Sequence, residues 1–171
     1  CDSGNVYIFD IPKKCLTNYI VNPGHQVDGF NGVKTPDPVI RIKAHWYKMH
    51  RLLFAFAKTG ACVFSLNKNR EIRTVNTGSK EIQAQKGKVV SIEWLGPACK
   101  EFVIGFEKGG LEVYGAESSS QRPLRKLNFA EENIKSMRLF FFQRANKPEY
   151  NTLVIEYSKD SKYNPMINNL K

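Results

Sequence analysis

The sequence has no run of apolar residues near the roughly 20 that a membrane-spanning helix needs. Its densest apolar stretches, residues 52–57 and 137–142, have the length of a strand. It has only three histidines. His45 and His50 read as a strand end and a turn with no carboxylate pair beside them, and a structural or solvent-facing role is expected for the histidines rather than metal ligation. Four cysteines stand far apart, at Cys1, Cys15, Cys62 and Cys99, with no C-x-x-C pair and no histidine at zinc spacing. Cys62, inside a strand-like run, reads as a buried reduced thiol. With no N-x-S/T sequon present either, a reducing, intracellular compartment is the expectation. The chain begins at Cys1 without an initiator Met or a signal-peptide pattern and is expected to be a stretch of a longer protein.

Catalytic signatures are equally scarce. There is no G-x-S-x-G, and residues 105–110 (GFEKGG) lack the Gly-Lys-Ser/Thr order of a phosphate loop. Asp37, Glu93, Glu107, Glu112 and Glu156 each stand alone among strand residues, so no acid and base are paired. The Ser118–Ser120 run reads as a flexible exposed loop. These absences predict a chain that is not an enzyme and has no catalytic residue, no cofactor-binding residue and no metal ligand.

What is present is a basic, foldable chain. Hydrophobic residues make up 42% and charged residues 25%, too apolar for a disordered polymer. The net charge is +10, which suits an acidic protein partner, an anionic membrane surface or nucleic acid. The positive residues are spread along the chain. The closest clusters include Lys86 with Lys88, and Arg122 with Arg125 and Lys126, and these five form the candidate partner-binding surface.

An internal repeat organises the rest. Residues 39–64 (VIRIKAHWYKMHRLLFAFAKTGACVF) and 89–114 (VVSIEWLGPACKEFVIGFEKGGLEVY) align without a gap at an offset of 89 − 39 = 50 residues. Ile42 matches Ile92, Leu53 matches Val103, Phe54 matches Ile104, Phe56 matches Phe106, Gly60 matches Gly110, and Phe64 matches Tyr114. Residues 4–10 (GNVYIFD) repeat 109–115 (GGLEVYG), and residues 152–159 (TLVIEYSK) repeat 101–108 (EFVIGFEK). Each full unit reads as four strands: a short β-branched one, a nearly all-apolar one, a third after a Gly turn, and a polar fourth. An all-apolar second strand fits burial on both faces, and the 40–50-residue period fits a propeller blade. No unit shows the 3.6-residue period of a helix. The expected fold is therefore all-β: consecutive four-stranded antiparallel blades of a WD40-like β-propeller, about three blade-equivalents in number. Residues 1–21 would end one blade, 39–76 and 89–129 would be full blades, and 134–171 would start the next. The connection 22–38, rich in Gly, Pro and Asn, reads as an inter-blade loop or a face insertion, where binding residues often sit. Trp46 and Trp94 recur near the ends of equivalent strands, which favours a structural role over base stacking.

The unit 89–114 resembles the blade pattern of the Lgl/tomosyn proteins (lethal giant larvae-like, syntaxin-binding), in which V-x-S-I-x-W is followed by K-x-F-x-x-x-x-x-D-G-x-L-x-x-W. Residues 37–64 are similar to that family's P-V-V…LLIGY-x-x-G-x-V-x-F-W blade. Lys108-Gly109 stands where the family has Asp-Gly, and Phe64 and Tyr114 stand for Trp. The resemblance implies a cytoplasmic, non-catalytic scaffold in vesicle exocytosis or cell polarity. It implies syntaxin or other SNARE proteins as partners and peripheral contact with anionic plasma membrane. It carries over no binding residue. The alternative expectation is an RNA-associated WD40-like scaffold, for instance in ribosome assembly, with the positive charge serving phosphate.

Overall fold

The computed structural model describes residues 5–21, 25–28, 33–45, 47–96, 98 and 100–127, together with the backbone of 134–142, 150–157 and 167–170 and the Ile134 side chain. The expectations for Cys1, Trp46 and Cys99, and for the side chain of Glu156, fall outside these residues. The protein is mostly β. Strands β1 (Val6–Asp10) and β2 (Cys15–Val21) form a hairpin, and β3 (Gln26–Asp28) and β4 (Lys34–Pro36) form a second, shorter one. The 22–38 connection is thus not a plain loop.

Strands β5 (Val39–Ala44), β6 (Arg51–Phe56), β7 (Gly60–Ser65) and β8 (Arg70–Asn76) make an antiparallel four-stranded meander in chain order. Strands β9 (Val89–Leu95), β10 (Glu101–Phe106), β11 (Leu111–Gly115) and β12 (Arg125–Leu127) make another. A third sheet follows from β13 (Ile134–Phe142), β14 (Tyr150–Tyr157) and β15 (Ile167–Leu170). One helix, α1 (Lys80–Lys86), joins the two meanders. No helix among the described residues is long and apolar enough to cross a membrane.

The two meanders share one register. In the first, Val39 pairs Phe56, Arg41 pairs Ala55 and Ile42 pairs Phe54, with a bulge between Val39 and Arg41. In the second, Val89 pairs Phe106, Ser91 pairs Gly105 and Ile92 pairs Ile104, with the irregularity at the same place. Likewise Leu53 pairs Val63 as Val103 pairs Val113, and Phe54 pairs Cys62 as Ile104 pairs Glu112. The correspondence ends at the fourth strand, which is shorter in the second meander.

Alternation of side chains sorts each sheet into two buried faces. Phe54, Phe56, Cys62 and Phe64 pack with Val6, Ile8 and Val21 of the β1–β2 hairpin. Leu53, Ala55, Ala61 and Val63 pack instead with Ile92, Trp94, Phe102, Ile104 and Phe106 of the second meander. The far side of the second meander, through Leu95, Val103, Leu111 and Val113, meets Ile134 of β13. The sheets therefore stack in series, and central strands buried on both sides read as continuous apolar runs. Each buried Leu or Phe contributes about 1.5–3 kcal/mol. Ile42 and Ile92 hold equal places in the register, yet Ile42 is 42% exposed and Ile92 fully buried. Ile92 has the first meander in front of it, whereas the hairpin before Ile42 supplies only two strands.

Between the meanders, polar contacts fix the stacking. Lys43 Nζ lies 2.8 Å from Glu93 Oε2, and the Trp94 indole N–H donates to the Lys43 carbonyl at 3.2 Å. The loop after β11 folds over the outer edge of the first meander: the Gln121 amide donates to Thr74 O at 3.0 Å and its oxygen accepts from Asn76 N at 3.2 Å. Arg73 donates to Ser120 O in the same loop. The Ser118–Ser120 run is therefore part of a docked segment and not a free loop. An unpaired strand edge is a site of aberrant pairing, and this loop covers it.

Candidate functional site

A cleft of about 1010 Å³ opens at the rim where the meanders meet. The β3–β4 hairpin supplies Asp28 and Lys34, the β6–β7 turn supplies Lys58, α1 supplies Lys80, Lys88 comes from just before β9, and Glu107 from the β10–β11 turn. All six are exposed, and the four ammonium groups outnumber the two carboxylates, so the cleft attracts anionic groups. Its walls are held from behind. Buried Asp37 accepts from Lys58 N at 3.1 Å and from Thr59 N at 2.6 Å, closing the turn. Gly60 follows at φ 128°, where a Cβ would stand 2.2 Å from Val75 O, so only glycine fits.

Of the five residues expected to form a basic surface, Lys88 alone lines this cleft. Lys86 turns back into the protein, 2.6 Å from Glu112 Oε1 and over the Phe106 ring at 5.2 Å. Lys126 reaches the same carboxylate at 3.7 Å. Arg125 pairs with Glu101, and Arg122 sits exposed in the loop that covers the first meander. The structure thus brings Lys86 and Lys126 together at Glu112 and does not gather the five into one patch. Tyr114 also donates to Glu112, at 2.7 Å. Burial, together with that carboxylate, pushes the phenol's pKa well up.

At the position equivalent to Glu112 lies Cys62, and around it is a second polar cluster that sequence spacing gave no reason to expect. His25 Nε2 stands 2.6 Å from Glu71 Oε1, and the ligand atoms of His25, Cys62 and Glu71 all lie within 4.8 Å of one another. The imidazole stacks on Phe56 with centroids 4.0 Å apart, and its Nδ1 meets Thr59 Oγ1 at 2.9 Å. The Thr74 hydroxyl donates to Glu71 Oε2 at 2.8 Å. Burial raises the Glu71 pKa, but His25 and Thr74 outweigh it and hold the carboxyl below its ordinary range. Burial, reinforced by Glu71, pushes the Cys62 thiol strongly up, so it is protonated.

His45 has a different part. It is fully buried, packs edge-on to Trp94 at 5.4 Å, and its Nδ1 accepts from Tyr47 N and Lys48 N at 3.2 and 3.0 Å. Two N–H donors on one ring nitrogen require that nitrogen unprotonated, which makes His45 a structural turn cap. Trp94, fully buried at the interface of the meanders, is likewise structural. No protein-family model matches the chain, and no curated protein matches it significantly.

Proposed function

We propose that the two meanders and their neighbours are consecutive blades of a WD40-like β-propeller and that the chain is a non-catalytic interaction scaffold. The observation that carries this reading is the shared register of β5–β7 and β9–β11, bulge included, in sheets stacked face to face. Repetition at this level serves construction of a stack, and partner recognition then falls to loops and rims. The rim cleft with Lys34, Lys58, Lys80 and Lys88 is the recognition surface, and its partner is an acidic protein segment. The resemblance to Lgl/tomosyn proteins supplies the partner class: acidic SNARE helices such as those of syntaxin, met in the cytoplasm beside anionic plasma membrane.

Binding of a soluble syntaxin helix bundle, of phosphatidylserine vesicles and of single-stranded RNA, each titrated with salt, tests the proposal. The expected result is SNARE binding that falls at least tenfold in K34E/K88E while the unfolding midpoint stays unchanged. RNA binding with a steep salt slope and no SNARE binding overturns it in favour of an RNA-associated scaffold.

A further inference from the structure

We infer that His25, Cys62 and Glu71 form a binding site for a borderline-soft divalent cation, with Zn²⁺ the ion best matched. The inference stands apart from the cleft and from any partner bound there.

Three observations carry it. The first is the donor set. An imidazole nitrogen, a sulfur and a carboxylate oxygen converge within 4.8 Å, though they come from the 22–38 connection, β7 and β8. Nitrogen, sulfur and oxygen together are the ligands Zn²⁺ takes, at about 2.0–2.3 Å. Tetrahedral coordination at those lengths separates donors by about 3.3–3.6 Å. Reaching it requires widening the 2.6 Å contact between His25 and Glu71 by less than about 1 Å.

The second is a buried acceptor inside the cluster. Glu71 Oε1 is buried and stands 2.6 Å from His25 Nε2, with the Cys62 sulfur beside it. A cation bound between the three would take over these contacts and satisfy the same oxygen.

The third is the support behind the ligands. Thr59 Oγ1 holds His25 Nδ1 at 2.9 Å, which leaves Nε2 to face the cluster, and Thr74 fixes the other Glu71 oxygen at 2.8 Å. Such outer partners orient metal ligands and set their affinity. Phe56 stacked on the imidazole fixes the ring plane as well. Cys62 is sealed from solvent, while the Glu71 side chain is 26% exposed and gives the ion its way in. Three protein donors leave a fourth place for water.

Binding removes the Cys62 thiol proton, which passes to solvent as the Zn–S bond forms. The ion would tie the connection carrying His25 to the outer strands of the first meander.

The test titrates the reduced, chelator-dialysed 171-residue chain with Co²⁺ and then Zn²⁺. The expected result is one ion per chain, a thiolate-to-cobalt charge-transfer band that Zn²⁺ bleaches, and proton release in weak buffer. Cys62→Ala abolishes the band while the circular dichroism spectrum stays β-rich; where Cys62→Ala does not fold, His25→Gln supplies the same reading by weakening Co²⁺ binding at least tenfold. Thr59→Val keeps the band and lowers affinity about 10–100-fold. No band at stoichiometric metal overturns the inference. So does a band that survives Cys62→Ala and disappears in Cys15→Ser, because it then belongs to the exposed thiol.

Discussion

Cys62 and Glu112 occupy the same place in two sheets of common register, one paired with Phe54 and the other with Ile104. Each is the polar interruption of an apolar third strand. Each meets a basic or imidazole side chain from the connection before its own meander, and that side chain rests on an equivalent ring: His25 on Phe56, Lys86 on Phe106. The two copies keep one architecture at this point and fill it with different chemistry. Glu112 is matched by Lys86, Lys126 and Tyr114, whereas Cys62 faces His25 and Glu71.

Truncating the central aromatics will show the sheets to be jointly stabilised. Phe54→Ala, facing the β1–β2 hairpin, and Phe102→Ala, facing the first meander, are each expected to cost about 3–5 kcal/mol. Urea denaturation checks both. A cost below about 1 kcal/mol at Phe102 would mean that the meanders do not depend on each other's packing.

Gly60→Ala should destabilise by about 3 kcal/mol, since the backbone sits at positive φ and the new methyl meets Val75 O. Gly96→Ala is the control: also at positive φ, it has nothing within 4 Å of the added carbon. Its smaller loss, measured beside Gly60→Ala, separates collision from strain.

Stability should fall between neutral and mildly acidic pH because of His45. Its pKa is lowered from 6.5, first by burial and then by the positive Lys48 and Arg51, against an opposing contribution from the Gly96 carbonyl. The folded chain therefore binds fewer protons than the unfolded chain in this window. The His45 contribution is fully present above pH 6.5 and is lost as pH drops through the lowered folded value. Glu71, also lowered, adds a second loss below about pH 4.5. Unfolding midpoints from pH 7.5 to 5 should slope less steeply in His45→Asn than in wild type; parallel slopes would refute the assignment.

Removing Gln121 should loosen an edge rather than the core. Gln121→Ala deletes both side-chain bonds to β8, so the Asn76 amide is expected to exchange with solvent about tenfold faster, with global stability reduced by about 1 kcal/mol. Amide exchange followed by NMR reads this directly. Unchanged protection at Asn76 would show that the loop does not guard the strand.

The stacked strands were legible in the sequence because the central β6 and β10 are buried on two sides, and double burial writes itself as a continuous apolar run. Gly60 and Gly110, both at positive φ, marked the turns. Helix α1 was not legible: it buries no residue, so it has no apolar stripe, and only Ser79 as N-cap and Gly87 as C-cap announced it. The β3–β4 hairpin, three residues a side with little burial, left no pattern either. The His25–Cys62–Glu71 cluster is joined only by folding across distant segments. Its one trace was that the 50-residue alignment sets a polar atom at Cys62 opposite a charged one at Glu112. The basic residues misled because charge counts position but not direction: Lys86, Arg125 and Lys126 are engaged by the protein's own carboxylates.

The contact between Lys43 and Glu93 joins residues at one and the same repeat position, 50 apart. Two verbatim copies of either meander could not lie side by side as these do, because like would meet like and the charges would repel. Neighbours must differ in sign here, so the residue at this place acts as an address: it tells a lysine-bearing sheet that a glutamate-bearing one comes next, and it forbids an exchange of order.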